Sequence, residues 1–112
     1  DIDPVSVITA TNNVRLNGSQ SAVECITADG LGHRRFLQQK PFDLVMANIL
    51  ANPLKAMAKD IAQSTKAGGT IILSGLLPHQ RRMILATFRQ HDAVIQTSYI
   101  RDGWLILMLE KR

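Results

Sequence analysis

The sharpest change of pattern along the chain falls at Asn48. From Phe42 to Ala47 every position except Asp43 is apolar, and the run then stops at a polar residue. A short, continuous apolar run of this kind reads as a strand buried on both faces. Ile49-Leu50-Ala51-Asn52-Pro53 follows, and the spacing changes to that of a helix. Leu54, Met57, Ala58, Ile61 and Ala62 form one apolar stripe, which predicts a helix over 51–66. Lys66 would oppose the helix dipole and Gly68-Gly69 would stop the helix. Open α/β sheets bind their ligands beyond the carboxyl ends of the strands, where a strand opens through a loop into a helix. Asn48 is therefore the first candidate for chemistry.

The other elements fall on both sides of this stretch. Asp3 suits a helix N-cap and Pro4 a first helical position, with Val7, Ala10, Thr11 and Val14 on one face and Asn17-Gly18 as the stop; the spacing predicts a helix over Pro4–Leu16. Ala22–Ala28 reads as a strand near a sheet edge, with Cys25 as a small core residue. Asp29-Gly30 is a turn, and Leu31–Gln39 a weak helix with Phe36 and Leu37 inward, broken by Lys40-Pro41. Thr70–Leu73 is a strand apolar on both faces and ended by Ser74-Gly75. Pro78–Gln90 reads as a helix using Ile84, Leu85 and Phe88. Ala93–Ile100 is of mixed polarity, as an edge strand would be, and Asp102-Gly103 is a hairpin signal. Trp104–Leu109 is apolar throughout, which places it inside the sheet with Trp104 in the core. Alternating strands and helices give an α/β fold with a parallel sheet and a C-terminal antiparallel hairpin.

Composition narrows the setting. At 112 residues the chain is one domain, and its longest apolar blocks are too short to cross a bilayer. No signal peptide is visible. The single Cys25 excludes an intramolecular disulfide and fits a reducing cytosol, so the expected location is cytoplasmic. The net charge of +4 is spread along the chain, and aromatic residues make up 4% of it. Arg34-Arg35 and Arg81-Arg82 read as solvated helix charges, which disfavours direct nucleic-acid binding. His33, His79 and His91 lack metal-ligand spacing, so no metal site is expected. The chain opens on Asp1-Ile2-Asp3-Pro4 without an initiator Met and reads as cut from something longer.

Asp1-Ile2-Asp3-Pro4, the loop after Ala47 and the terminal hairpin ending in Trp104-Leu105-Ile106-Leu107 together resemble the class I S-adenosylmethionine-dependent methyltransferases. The segment Ala47-Asn48-Ile49-Leu50-Ala51-Asn52-Pro53-Leu54 resembles the signature of the PrmA-type family, which methylates the eleventh large-subunit ribosomal protein. The resemblance covers all 112 residues, matched to the later part of the family's catalytic domain. It implies a three-layer Rossmann-like sheet, here lacking the first strand and the Gly-rich loop of the cofactor site. In the family order the strand of Phe42–Ala47 is followed by that of Thr70–Leu73, then the last strand, then the edge strand before it. Without the first strand, Phe42–Ala47 would expose an apolar edge. Either the 22–28 strand or, as favoured here, a second copy of the chain would pair with it.

The resemblance also implies site roles. S-adenosylmethionine is the expected cofactor. Asp1 matches the acid that accepts hydrogen bonds from the ribose hydroxyls, and Asp29 follows the strand that approaches the adenine, although an ordinary Asp-Gly turn explains it equally well. Asp3 is a helix cap rather than a ligand residue. Asn48 matches the residue that orients the target nitrogen for in-line attack on the methyl donor. Related amino-methylating enzymes read Asn-Pro-Pro-aromatic, whereas here Ile49-Leu50 follow Asn48. That departure favours a flexible aliphatic amine, a lysine or α-amino group of a ribosomal protein, over a stacked nucleobase. Lacking the Gly-rich loop, the isolated chain is expected to have no useful activity. Two alternatives remain open: a methyltransferase of the same fold acting on a small molecule or nucleic acid, and a non-catalytic α/β interaction module.

Overall fold

Asp3 fixes where the first helix begins. Its carboxylate accepts hydrogen bonds from the Val5 N–H (3.0 Å) and the Ser6 hydroxyl (2.9 Å), satisfying a donor that the first helical turn leaves free. The Ser6 bond first, and then the Val5 N–H, hold its carboxyl below the usual carboxylate range. The helix, α1, spans Pro4–Leu16 and closes at Asn17 with Gly18 at φ +66°, as the sequence predicts. In the computed structural model, which describes all 112 residues, α1 lies in the first of two units, Asp1–Gln38 and Gln39–Arg112.

The strand predicted over Ala22–Ala28 does not form. A strand needs a neighbour for its N–H and C=O groups, and here the only ladder partner is Asp1. The Asp1 nitrogen donates to Ile26 O (3.1 Å) and the Ala28 N–H to Asp1 O (2.8 Å), the two-bond pattern of a parallel pair around Thr27. Cys25 is half-buried, not core. The second helix, α2, is shorter than predicted, Arg34–Gln39; Phe36 is half-buried and Leu37 exposed. Arg35 grips Glu24 with both Nε and Nη2, the latter at 2.6 Å, which holds the Glu24 carboxyl low.

The second unit is an α/β sheet of four strands: β1 Phe42–Asn48, β2 Thr65–Leu76, β3 Ala93–Arg101 and β4 Trp104–Lys111. Their order is β1-β2-β4-β3, the order the resemblance implies. The β1–β2 pair is parallel and the others antiparallel. Helix α3 (Ala51–Ser64) crosses from β1 to β2, and a 3₁₀ turn at Pro78–Gln80 leads into α4 (Arg81–Arg89). Leu54, Ala58 and Ile61 of α3 and Ile84 and Phe88 of α4 are sealed with Ile71, Leu73, Leu76, Leu105, Leu107 and Leu109 of the sheet. The alternate strand positions are not sealed within this unit: Ile72, Ile106 and Met108 are half-buried, and Leu44, Met46 and Tyr99 are exposed. Of the strands predicted to be buried on both faces, β2 and β4 are sealed on one face only, and β1 has no fully buried residue. Strand β1 stands at the sheet edge with apolar side chains open, as anticipated.

The glycine pair at 68–69 was misassigned, and so was the helix end before it. Helix α3 stops at Ser64, because Thr65 already has strand dihedrals (φ −95°, ψ 132°) and pairs with Phe42. Its buried hydroxyl donates back to Ile61 O at 2.8 Å. Lys66, predicted at the helix end, lies in β2 with Nζ 3.0 Å from Asp43 Oδ1. Gly68, at φ +81°, and Gly69 take up the register shift between Phe42↔Thr65 and Leu44↔Thr70. Strand β2 also runs on through Gly75 to Leu76, past the predicted stop. The Asp102-Gly103 turn forms as predicted, with φ +51° and +80° matching the twist of its strands.

Gly69 is buried, and a Cβ there would lie 2.8 Å from Lys66 O and 3.0 Å from Asp43 O. Gly69→Ala should therefore lower unfolding stability by about 1–3 kcal/mol. Gly32→Ala, which meets nothing within 4 Å, should be near neutral. Equal urea midpoints for the two variants would contradict this account of the bulge.

Candidate functional site

Asn48 is the last residue of β1 and pairs with Ser74 of β2. The β1–β2 pairing thus ends at Asn48, which sits exposed while β2 runs on to Leu76. Only Ile49 and Leu50 separate it from α3. Leu50 caps that helix through its backbone (φ −62°, ψ 152°) without a side-chain bond, and its carbonyl accepts the Leu54 N–H at 3.0 Å. The connection is too short to carry Asn48 away from the sheet. Its carboxamide oxygen lies directly over Gly75, in the space where any other residue would place a Cβ.

Beyond Gly75 opens a hollow of about 410 Å³, which Asn48 adjoins through Gly75 without lining it. Its walls come from the β1–α3 connection (Leu50, Asn52, Pro53), the end of β2 and the segment after it (Gly75, Leu77), and Trp104 at the start of β4. Gln80 closes one side, its Oε1 accepting the Leu77 N–H at 2.8 Å while its own N–H donates to Leu77 O at 2.9 Å. No lining side chain titrates in the physiological range. The hollow is an apolar slot with carboxamides at its rim, suited to an uncharged or hydrocarbon-stemmed group. The position predicted as core, Trp104, is instead 52% exposed at this rim. Its apolar neighbours were a poor guide, because Trp104 directly follows the turn and the sealed positions of β4 are Leu105, Leu107 and Leu109.

Asp1 and Asp29 belong to the first unit. The Asp1 Oδ1 accepts the Asp3 N–H at 2.9 Å, and the carboxylate is exposed to solvent. Since Ala28 bonds to Asp1 O, Asp29 emerges from the same end of that pairing, in a bend before Gly30 at φ +69°. The structure therefore places Asp29 next after the residues that pair with Asp1, while Asp3 serves as the cap. Gly75, Leu77, Gln80 and Trp104 were not singled out as site residues from sequence. The signal available was the Ser-Gly pair after an apolar run, a pattern that also marks an ordinary strand end.

A larger groove, of about 590 Å³, lies between α4 and the start of β3 and is lined by Arg81, Arg82 and Arg89 with Leu85, Val94 and Ile95. The start of β3 pairs with the end of β4, away from the strand ends that carry Asn48 and Trp104.

The family model of ribosomal protein L11 methyltransferase (PrmA) matches residues 1–112. The chain belongs to the PrmA family. It is 41% identical over 110 residues to the ribosomal protein L11 methyltransferase of Brucella suis, covering 98% of this chain and 39% of that protein. The same identity holds over 111 residues with the enzyme of a Chelativorans species, covering 99% and 38%. The chain thus spans about two-fifths of the length of these relatives. Among solved structures, a ribosomal protein L11 methylase from Lactobacillus delbrueckii subsp. bulgaricus superposes with a TM-score of 0.82 at 25% identity, over all of this chain and 56% of that one. A precorrin-6y C5,15-methyltransferase from Geobacter metallireducens shares the fold, with a TM-score of 0.71 at 12% identity over 100% of this chain and 64% of its own. No helix of this PrmA-family chain is long and apolar enough to cross a membrane.

Trp104 is the only tryptophan in the chain, so its emission reports on the hollow directly. Acrylamide should quench native fluorescence with a constant of the same order as in the urea-unfolded chain. A blue-shifted, quencher-resistant emission would contradict the exposed rim.

Proposed function

We propose that these residues work in an S-adenosylmethionine-dependent N-methyltransferase acting on ribosomal protein L11, at lysine or α-amino groups. The observation that carries this reading is Asn48, held at the carboxyl end of a parallel strand beside an apolar, uncharged hollow. The membership of the PrmA family points to the protein substrate. The cytoplasmic setting follows from that substrate and from the single free Cys25.

S-adenosylmethionine supplies a methyl group made electrophilic by an adjacent sulfonium. The residues present fit such a group in part. Asp1 offers an exposed carboxylate with only Oδ1 engaged, suited to ribose hydroxyls, and Asp29 follows the same backbone pairing, where it would meet the adenine. Asn48 would accept hydrogen bonds from the target amine through Oδ1 and its backbone carbonyl, fixing the direction of the nitrogen lone pair. Such alignment lowers the barrier by removing rotational freedom before reaction. The hollow holds no general base, so the amine has to arrive neutral. Apolar walls favour this, because desolvation disfavours an ammonium ion.

The exposed Trp104 ring favours a second reading, in which the hollow stacks a planar acceptor such as a nucleobase. Assay of the full-length protein against L11, RNA and small amines separates the two.

In the full-length protein, Asn48→Ala should reduce kcat on the order of a hundredfold while cofactor affinity stays within about threefold. Asp1→Ala should do the converse, weakening cofactor binding by about tenfold or more. With no base in the site, kcat/KM should rise with pH towards the acceptor's own pKa, about 8 for an α-amine and about 10.4 for a lysine. A rate independent of pH below those values would argue against this mechanism.

We also infer that the open edge of β1 pairs with a second copy of this chain. Unpaired backbone groups beside exposed Leu44 and Met46 support it. Sedimentation of the 112-residue chain should show a dimer; a strict monomer at high concentration would count against it.

A further inference from the structure

Gly75 occupies an unusual place in β2. On one side, Ser74 still pairs with Asn48 of β1. On the other, the register with β4 slips between Leu73↔Leu107 and Leu76↔Leu105, so three steps along β2 match two along β4. The extra residue makes a bulge, and bulges at sheet ends re-aim the side chains around them. Gly75 has φ +74°, a conformation that glycine adopts without steric cost. Its missing Cβ is also filled: one built there would collide with Asn48 Oδ1 and lie 3.5 Å from Ile49 O and 3.6 Å from Asn48 Cγ. Gly75 is at the same time a wall of the hollow.

We propose that Gly75 is a positioning residue for Asn48: its vacant Cβ position is the seat that holds the Asn48 carboxamide against the Gly75 wall of the hollow. The inference rests on the reading of Asn48 given above. The backbone conformation alone does not account for the close approach. Gly68 (φ +81°) and Gly103 (φ +80°) have the same left-handed backbone and nothing within 4 Å of a built Cβ. At Gly75 the space is taken by the side chain on which the proposed chemistry depends.

The comparison of Gly75 with Gly68 supplies the test. In the full-length protein, Gly68→Ala measures the cost of a side chain at positive φ without touching Asn48. Gly75→Ala adds the collision. Both should lower the thermal midpoint, while only Gly75→Ala should lower kcat, by about tenfold or more, with cofactor affinity within about threefold of the parent. In an Asn48→Ala background, Gly75→Ala should cost less than about a further twofold, because the group it displaces is gone. Equal kcat for the Gly75→Ala and Gly68→Ala variants would overturn the proposal, and so would a full tenfold loss in the Asn48→Ala background. An Asn48→Ala variant with unchanged kcat would overturn the reading of Asn48, and the role of Gly75 with it. Should Gly75→Ala not fold, Gly75→Asn, a residue type that accepts positive φ more readily, carries the same Cβ and decides by the same comparison.

Discussion

The parallel pairing of β1 with β2 is the constraint on which the second unit depends. Parallel strands cannot be joined by a tight turn, so α3 must cross over, and its apolar stripe has to land on the face that Ile71 and Leu73 present. The same pairing ends with Asn48 opposite Ser74, while β2 itself runs on to Leu76. The two glycine regions of β2 then adjust it to neighbours on either side. Gly68-Gly69 absorbs the shift against β1, and Gly75 the shift against β4. The hollow beside Asn48 forms where these adjusted strands end.

Much of this arrangement was legible in the residues. The 3.6-residue period of Leu54, Ala58 and Ile61 reports a face that must be buried, and Asp102-Gly103 reports a turn that needs two left-handed residues. Both signals are local, so they survive without knowledge of partners. The Ala22–Ala28 segment shows the reverse. Its composition suits a strand, but pairing is decided by what lies alongside, and here that is Asp1 alone. Gly68-Gly69 failed as a helix stop for a related reason. A glycine pair permits a cap and a bulge equally well, and the register with Asp43 and Leu44 selected the bulge.

The candidate site divides along the same line. Asn48 could be found because a run of apolar residues ends there. Trp104, Leu77 and Gln80 could not, since their meeting depends on how far β2 runs past Ser74 and how the 3₁₀ turn folds back. Asp1 and Asp29 emerge from one backbone pairing in the first unit, and Asn48 with its hollow belongs to the second.

The β3–β4 hairpin has a consequence for the order of assembly. Its strands are separated by two residues, whereas β1 reaches β2 only after the whole of α3. Local contacts close sooner than distant ones. The hairpin therefore closes first, the β1–β2 pair, whose Asn48 and Ser74 partners are closer in sequence than any β2–β4 partners, closes next, and β2 against β4 closes last. The last seam to close is then β2 against β4, and the bulge on that seam, Gly75, is the residue over which the Asn48 carboxamide lies.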